Sequence, residues 1–309
     1  TMGSVGRGTT IDHVQVSYSN DDSFEWFGGN VNAKYLVAYH GWDDDFDTDN
    51  GFCGKMQYLL SVRNPKIADK SVSNCFESDN NASGTSAEPF TSAVFSNVTI
   101  IGPIGQAADF ANTTTYINGG SVNPNNGSAL GQFQAAMQIR RNSRLNIFNT
   151  VAAGYPVGIM VENDKGSATQ AAATAGNLTV QNVVFAGMTI LGSDKNKTWL
   201  DQLSTDASNL DATKPSFSNG YFSRTGGSNS NLAAIADLKL KQPNSMVASP
   251  NFGPMAGSPL VGKSNLFTSA LLQDAWFDKV DFIGAFKSDA DADNWSKGWT
   301  NFDPQNTVY

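Results

Sequence analysis

Cysteine, histidine and basic side chains are all scarce in this sequence. The 309 residues include only two cysteines, Cys53 and Cys75, and two histidines. Two cysteines without a pair of CxxC motifs argue against a zinc ribbon, but they leave open either a disulfide in an oxidising compartment or two buried thiols. His13 and His40 fall on different parts of the repeat described below, which argues against a histidine metal pair or a catalytic triad.

Positive charge is also in short supply. Lysine and arginine total 20 against 28 aspartates and glutamates, which gives a formal net charge of −8. This balance argues against nucleic acid or an anionic membrane as a partner, whereas it is compatible with divalent cations and neutral sugars. Because no apolar run is long enough to cross a bilayer, we predict no transmembrane segment.

Turn-forming and small polar residues are abundant instead, and charged residues make up only 16% of the chain. Such a composition is typical of an all-β protein, and the length fits one large solenoid or up to two compact domains. Short alternating apolar runs recur about every 22 residues, close to one coil of a parallel β-helix. The first three runs, at 11–16, 34–39 and 57–62, place His13, Lys34 and Gln57 at equivalent positions.

The most acidic stretch, 43–49, contains five carboxylates. Phe46 within it corresponds to Phe24 and Phe76 in neighbouring coils, and each of the three is followed at once by a carboxylate. Strand alternation turns the phenylalanines inward, with Met137 and Ile159 below them, and leaves two outward columns. The first column reads Glu25, Asp47, Glu77, Gln138 and Met160, and the second reads Phe27, Asp49, Asp79, Arg140 and Glu162.

Two further columns carry turn residues. The segments 95–102, 147–154 and 180–187 superpose on one another and align three asparagines and three glycines. Asparagine tolerates a left-handed turn and can stack its amide from coil to coil, while glycine supplies a positive φ at a corner. Both columns are therefore interpreted as structural: Asn97, Asn149 and Asn182, then Gly102, Gly154 and Gly187.

The repeats predict an all-β right-handed parallel β-helix over 1–190 with an irregular C-terminal region over 191–309. The stretch 104–134 is a long excursion beside the acidic columns and forms a possible wall of a groove. Short helices are expected at 199–210 and 232–240. The aromatic-rich end of the chain is expected to pack on the solenoid and cap it, since terminal repeats need covering.

Stacked carboxylates about 4.8 Å apart repel one another unless something neutralises them. Calcium prefers six to eight oxygen ligands, so the columns predict a Ca²⁺ site with a solvated acidic face as the alternative. Asp21, Asp22, Asp43 and Asp44, near the strand entrances, are alternative ligands. The predicted ligands are Glu25, Asp45, Asp47, Asp49, Glu77 and Asp79.

The segments 6–14, 19–29 and 43–55, together with 281–286 and the tryptophans that follow, resemble a family of bacterial β-helix proteins common in Bacteroidota. Members are secreted or surface-anchored, often as lipoproteins, and most have no assigned function. The resemblance implies a right-handed parallel β-helix on the cell surface, at the outer membrane or extracellular, with the periplasm as second choice. It also implies further coils before the segment that opens this chain, so we expect a missing N-terminal β-helix segment as a neighbour.

A looser similarity links the fold to calcium-dependent pectate and polysaccharide lyases. Lyase chemistry needs a cation on the uronate carboxylate and a base, and Lys55 and Arg140 are the candidate bases. Nearby acids would raise the pKa of either residue, which is the wrong direction for a base. Phe27, Trp42 and Arg141 are candidate contacts for a sugar.

The first functional hypothesis is therefore a cell-envelope or secreted protein that binds calcium and glycan on its acidic face without catalysis. The second is a calcium-dependent polysaccharide lyase or a glycoside hydrolase that uses the same face, for which paired carboxylates have a suitable spacing. The third is a structural subunit of a surface assembly. The expected partner is a polysaccharide or another envelope protein.

Overall fold

Two parallel sheets dominate the computed structural model, which describes residues 1–117, 131–166, 168–194, 216–247 and 250–308. Successive segments of the chain alternate between a seven-stranded and a nine-stranded sheet. Every strand pair in these two sheets is parallel, for example Phe24–Phe27 with Phe46–Asp49. The prediction of a mostly β chain with parallel repeats is confirmed, whereas its right-handed closure stays a prediction.

The strands are short, and their order in space follows their order along the chain. The seven-stranded sheet contains Met2–Gly3, Phe24–Phe27, Phe46–Asp49, Phe76–Ser78, Ala135–Ile139, Val157–Val161 and Ile190–Ser193. The nine-stranded sheet contains Ile11–Ser17, Ala33–Tyr39, Lys55–Val62, Val94–Ile101, Asn146–Phe148, Val151–Ala153, Thr179–Gln181, Val184–Ala186 and Ser230–Leu232. Leu240–Gln242 and Asn251–Pro254 form a separate antiparallel pair.

Helices in the described part of the chain are few and short. The α-helices are Thr169–Thr174 and Phe217–Phe222, and the 3₁₀ turns are Pro103–Gly105, Thr225–Gly227, Ile235–Leu238, Ala270–Leu272 and Asp291–Asp293. Of the two helices expected from the sequence, 199–210 lies outside the described residues. At 232–240 the chain forms a single 3₁₀ turn between two strands rather than an α-helix.

The core lies between the two sheets and is built on the predicted aromatic column. Phe24 pairs with Phe46, and Phe46 with Phe76, at ring centroid distances of 5.9 and 5.5 Å. Met137 and Ile159 continue the column, as predicted. These side chains are buried, because strand alternation directs every second residue of a strand to the same face. Both cysteines are free thiols.

The predicted register is wrong at the first strand of the nine-stranded sheet. Asp12, not His13, pairs with Lys34, which in turn pairs with Gln57. His13 aligns instead with Tyr35 and has a positive φ of 52°. The paired residues Asp12 and Lys34 are 22 positions apart and Lys34 and Gln57 are 23 apart, so the predicted offset of 21 shifts the register of the first strand by one.

The asparagine column is confirmed. Asn182 donates its side-chain amide to Asn149 Oδ1 at 3.1 Å, and Asn149 donates to Ser96 Oγ at 3.0 Å. All three asparagines have φ values between 51° and 57°. In the glycine column Gly154 and Gly187 have positive φ, whereas Gly102 has a φ of −76°. Asparagine amides therefore replace main-chain pairing at the corner where the strands bend.

The C-terminal region packs along the outer face of the nine-stranded sheet. Val37, Leu60 and Val151 on that face form one buried cluster with Leu260 and Phe286 of the C-terminal region. The two large sheets extend beyond the predicted boundary at 190, through Ile190–Ser193 and Ser230–Leu232. The C-terminal region thus covers the side of the repeats, and its role as an end cap stays a prediction.

A second, shorter excursion from the repeats, at 64–74, contacts the predicted excursion at 104–134. Ala68 from the 64–74 excursion is buried against Ile117 and Phe133 from the 104–134 excursion, with Phe110 and Tyr116 at the margin. Residues 118–130 lie outside the described part of the chain. The described parts place both excursions next to the strand entrances of the acidic columns, because Asp69 donates its main-chain N–H to the Trp42 carbonyl.

Candidate functional site

The acidic face is the outer surface of the seven-stranded sheet. Glu25 pairs with Asp47, Asp47 with Glu77, and Glu77 with Gln138, which is the predicted first column. Since the phenylalanine column takes the inner positions of these strands, the carboxylates must point outward. The sequence therefore positions the acids by strand periodicity alone.

Arginines neutralise one end of this face. Arg140 Nη2 lies 2.5 Å from Glu77 Oε2, and its Nε lies 2.9 Å from Asp79 Oδ1. Arg141 Nη1 adds a contact of 2.6 Å to Asp79 Oδ2. Burial disfavours the charged guanidinium, but Glu77 and Asp79 outweigh it and raise the pKa of Arg140 above its usual value. Both arginines are thus occupied as fixed cations.

The opposite end of the face carries carboxylates that form no ion pair with a basic side chain of the described residues. Asp22, Glu25 and Asp47 each offer an oxygen within 4.8 Å of the others. Asp21, Asp22 and Asp43 form a second group with the same spacing, so that Asp22 belongs to both. We call these five residues the acidic cluster. Two oxygens bound to one calcium lie at most about 5 Å apart, so either group has a suitable size.

Main-chain hydrogen bonds place the cluster. Asp22 Oδ1 accepts the Asp44 N–H at 2.9 Å, and Asp44 Oδ1 accepts the Asn74 N–H at 2.6 Å. Asn74 Oδ1 in turn accepts the Ala135 N–H at 3.0 Å. Asp22, Asp44 and Asn74 each stand two residues before a phenylalanine of the core column, and Ala135 stands two residues before Met137. A third column of Asp and Asn therefore runs beside the two that the sequence predicted.

Burial and repulsion between neighbours raise the pKa of three carboxyls of the acidic cluster, those of Asp22, Asp43 and Asp47. The pKa of Asp22 is raised to about 9, first by burial and then by Asp43. The pKa of Asp43 is raised to about 8 by burial and by Glu77, against a lowering hydrogen bond from Ser71. The pKa of Asp47 is also raised well above its usual range by burial and Glu77. Protonation or a bound cation would relieve the same repulsion.

Two carboxylate oxygens of the cluster have no hydrogen-bond partner. Asp43 Oδ1 and Asp47 Oδ1 are both shielded from solvent and unpartnered among the described residues. Buried polar atoms are normally satisfied, so such an oxygen calls for a ligand. The donor set of the cluster is entirely carboxylate oxygen, which suits a hard cation such as Ca²⁺.

The predicted ligands separate into three groups. Glu25 and Asp47 belong to the acidic cluster. Glu77 and Asp79 are held by the arginines, while Asp49 lies half-buried beside them and accepts the Asn50 N–H at 2.5 Å. The structure removes Asp45 from the face. It is fully buried with its Oδ2 3.0 Å from Arg63 Nε and 2.5 Å from Ser61 Oγ, because Arg63 is itself fully buried and needs a counter-ion.

Asp22 was only an alternative ligand in the sequence-based prediction, yet it is shared by both groups. It lies in the turn before its strand, so a prediction based on strand positions passes over it. The available signal was the recurrence of Asp22, Asp44 and Asn74 two residues before Phe24, Phe46 and Phe76.

Comparison with known families identifies the family to which the repeat region belongs. The sequence model described as pectate-lyase like beta helix domain matches residues 1–222, well over half of the chain. The chain belongs to this family. Comparisons with curated proteins and with solved structures gave no significant match. In the described residues no helix is long and apolar enough to cross a membrane.

Neither predicted base of this pectate-lyase-like β-helix is placed for base chemistry at the acidic cluster. Arg140 is bound by Glu77 and Asp79. Lys55 begins a strand of the nine-stranded sheet and forms an ion pair with Asp274, on a different sheet from the carboxylate columns. The carboxylates of Glu77 and Asp79 raise the pKa of the Arg140 guanidinium, which opposes a role as base.

The predicted sugar contacts of the β-helix lie along the acidic face. Phe27 is half-buried and pairs in register with Asp49, and Arg141 is bound to Asp79. Trp42 is half-buried beside Asp43, and its carbonyl accepts hydrogen bonds from Asp69 and Ser73. Trp42 thus precedes the cluster residue Asp43 in the chain, and Phe27 lies on the same strand as Glu25.

Proposed function

We propose that this pectate-lyase-like protein, a right-handed parallel β-helix, binds one calcium ion through Asp22, Glu25 and Asp47 and recognises a glycan beside it. The observation that carries the proposal is the shielded, unpartnered Asp47 Oδ1 within a group of three carboxylates that converge within 4.8 Å. Burial and the neighbouring carboxylates raise the pKa of Asp22 and Asp47, and a divalent cation would offset the repulsion between the charged forms.

Calcium fits the ligand set better than the softer transition metals. All of the candidate donors are carboxylates, and neither histidine nor cysteine belongs to the groups. Three carboxylates leave room for further oxygen ligands, because calcium takes six to eight. Hydroxyl or carboxylate oxygens of a glycan are suitable for those positions, and Trp42 and Phe27 offer aromatic surface for its rings.

A secreted or cell-surface location, at the outer membrane or outside the cell, is part of the proposal. Extracellular calcium is abundant enough for sites of modest affinity, which are typical of extracellular modules. The family assignment to pectate-lyase-like β-helices supports a carbohydrate-related role. A structural subunit of a surface assembly remains the outcome if neither calcium nor glycan binds.

Binding is favoured over lyase catalysis because the proposed bases are engaged elsewhere. Arg140 neutralises Glu77 and Asp79, and Lys55 is paired with Asp274 on the other sheet. Incubation with polygalacturonate and calcium tests this choice. We expect no increase in the ultraviolet absorbance of unsaturated products, and a calcium-dependent increase would support the lyase alternative.

Calorimetric titration with calcium tests the cation site. We expect the wild type to bind about one calcium per chain, and Asp22→Asn and Asp47→Asn each to weaken binding at least tenfold, about 1.4 kcal/mol. Asp281→Asn is the matched control, since this exposed aspartate lies in the C-terminal region. Equal calcium affinity in Asp47→Asn and Asp281→Asn would contradict the proposed site.

A further inference from the structure

A concave site lies on the other sheet. A cleft of about 590 Å³ opens where three strands of the nine-stranded sheet begin, namely Ile11–Ser17, Ala33–Tyr39 and Lys55–Val62. The segment around Trp276 forms its opposite wall. We call it the basic cleft, because Arg7, Lys34 and Lys55 all line it.

Ion pairs hold the two lysines of the basic cleft in place. Lys34 Nζ lies 2.8 Å from Asp278 Oδ2, and Lys55 forms an ion pair with Asp274. Both lysines are mostly buried, with side-chain exposures of 18% and 17%. An ammonium paired with one carboxylate still has two N–H donors, so each lysine can contact a ligand while it remains fixed.

Arg7 differs from the lysines because no ion pair or hydrogen bond engages its guanidinium among the described residues. It is exposed at the rim of the cleft and close enough to Asp274 to lower the pKa of that carboxyl, after the hydrogen bonds from Lys55 and Trp276. Its guanidinium, with no direct hydrogen-bond partner among the described residues, has N–H donors available for an anionic group that enters the cleft.

The remaining lining residues suit a sugar. Trp276 is half-buried with part of its indole in the wall, and Lys34 Nζ lies 4.9 Å from its ring centroid. Thr9, Thr10 and Asn32 supply neutral polar groups. Asp12 and Asp274 supply carboxylate acceptors for hydroxyl groups. A saccharide has such hydroxyl donors, whereas a polyphosphate, the other common anionic ligand, has none. Aromatic surface together with donors and acceptors is the chemistry that a saccharide ring uses.

We propose that the basic cleft binds an oligosaccharide that carries carboxylate or sulfate groups. The anionic group pairs with Arg7, where a planar guanidinium can donate two parallel hydrogen bonds. The adjacent ring packs against Trp276, and its hydroxyls contact Lys55, Asn32 and the threonines. The site does not depend on calcium, and it lies on a different sheet from the acidic cluster.

Titration calorimetry in the presence of a chelator tests the basic cleft without the cation site. The probes are trigalacturonate, a sulfated galactotriose and neutral galactotriose. We expect at least one of the acidic trisaccharides to bind with a Kd below about 1 mM and at least tenfold more tightly than the neutral one. Preference for the first or second probe identifies the anionic group as carboxylate or sulfate. Failure of both acidic probes to bind would overturn the proposal.

Variants then locate the binding. Arg7→Gln is expected to weaken the acidic probe at least tenfold while leaving the neutral one unchanged, and it disturbs no ion pair of the cleft. Trp276→Ala is expected to weaken both probes. Lys263→Gln, a half-buried lysine outside the cleft, is the matched control. An affinity of Arg7→Gln equal to that of Lys263→Gln would place the ligand elsewhere.

The cation-site variant Asp47→Asn separates this proposal from the calcium proposal. In chelator it is expected to bind the acidic trisaccharide as the wild type does. If Asp47→Asn abolishes trisaccharide binding, the acidic face and not the basic cleft is the glycan site, and the inference fails while the calcium proposal stands.

Discussion

At the scale of single residues, protons and a cation compete for the same carboxylate oxygens. Asp22 lies close to Glu25 and Asp47 in one group and to Asp21 and Asp43 in the other. Its burial also weakens the stabilisation of its charge by water. Without a cation, the Asp22 carboxyl has its lowest free energy when it keeps its proton. Arg140 removes this problem for Glu77 and Asp79, but no basic side chain of the described residues forms an ion pair with Asp22 or Asp47.

This competition predicts a pH dependence of stability. The pKa of Asp22 is raised to about 9 and that of Glu162 to about 8, in both cases mainly by burial. Between the unfolded value of about 4 and these values the native state binds more protons than the unfolded state, so its free energy of unfolding falls as pH rises. We expect the melting temperature in chelator to fall from pH 4 to pH 9, as measured by scanning calorimetry.

Calcium and a neutral side chain provide the controls for this pH dependence. Excess calcium should remove part of the fall above pH 7, because the cation replaces the protons of the acidic cluster. Asp22→Asn in chelator should melt about 1–2 °C above the wild type at pH 8, the shift expected for about 1 kcal/mol in a chain of this length. A melting temperature that stays constant or rises across this range in chelator would contradict the raised pKa values.

Which single residues form the site could be predicted only in part. Glu25 and Asp47 followed from strand alternation, since both stand directly after a core phenylalanine. Asp45 was misassigned because no periodicity reveals that Arg63, 18 positions along the chain, is buried in the interior and takes Asp45 as its counter-ion. Contacts of this kind depend on how the turns fold, which local sequence does not determine.

At the scale of elements, the columns that cross the strands define the register. The phenylalanine column and both carboxylate columns could be predicted because their residues alternate strictly within each strand. The register of the first strand of the nine-stranded sheet could not, because the offset between coils varies: it is 22 residues from Asp12 to Lys34 and 23 from Lys34 to Gln57. The residues that follow them, His13, Tyr35 and Tyr58, take positive φ values of 52°, 57° and 61°. Side chains with L chirality rarely adopt such values, and bulky aromatic residues give no warning of them.

The asparagine column predicts a measurable contribution to stability. Asn149 is buried, accepts from Asn182 and donates to Ser96, so Asn149→Ala removes two buried hydrogen bonds from the column. We expect a loss of about 2–4 kcal/mol in the free energy of unfolding, measured with urea. Asn265→Ala is the control, since Asn265 has a φ of 63° but is exposed. Equal losses would mean that backbone conformation alone explains the column.

At the scale of the whole molecule, the C-terminal region is a lateral cover on the repeats. Asn97 donates its amide to the carbonyls of Phe282 and Gly284 at 2.9 and 3.2 Å, and Ala285 donates its N–H to Thr99 Oγ1 at 2.8 Å. The aromatic tail was predicted to pack on the solenoid, but its position along the side depends on these polar contacts. The family match ends at residue 222, before Leu260 and the segment 282–286 that pack on the sheet.

Close contact of the C-terminal region with the sheet predicts an intolerant glycine. Gly284 has a φ of 91°, and a Cβ there would lie 2.9 Å from both Thr99 Oγ1 and Val151 Cγ1. We expect Gly284→Ala to lower the free energy of unfolding by about 2–4 kcal/mol. Gly298→Ala is the control, because Gly298 has a φ of 93° with no atom within 4 Å of the added Cβ. If both variants lose the same stability, the C-terminal region does not press on the sheet.

The central claim is the calcium ion bound by Asp22, Glu25 and Asp47. Anomalous diffraction data collected at a long X-ray wavelength from crystals grown with calcium would locate such an ion directly. We predict one peak about 2.3–2.6 Å from an oxygen of each of these three residues. Calcium density found only beside Asp49 or Asp79, or no calcium at all with the three carboxylates turned apart, would contradict the proposed site.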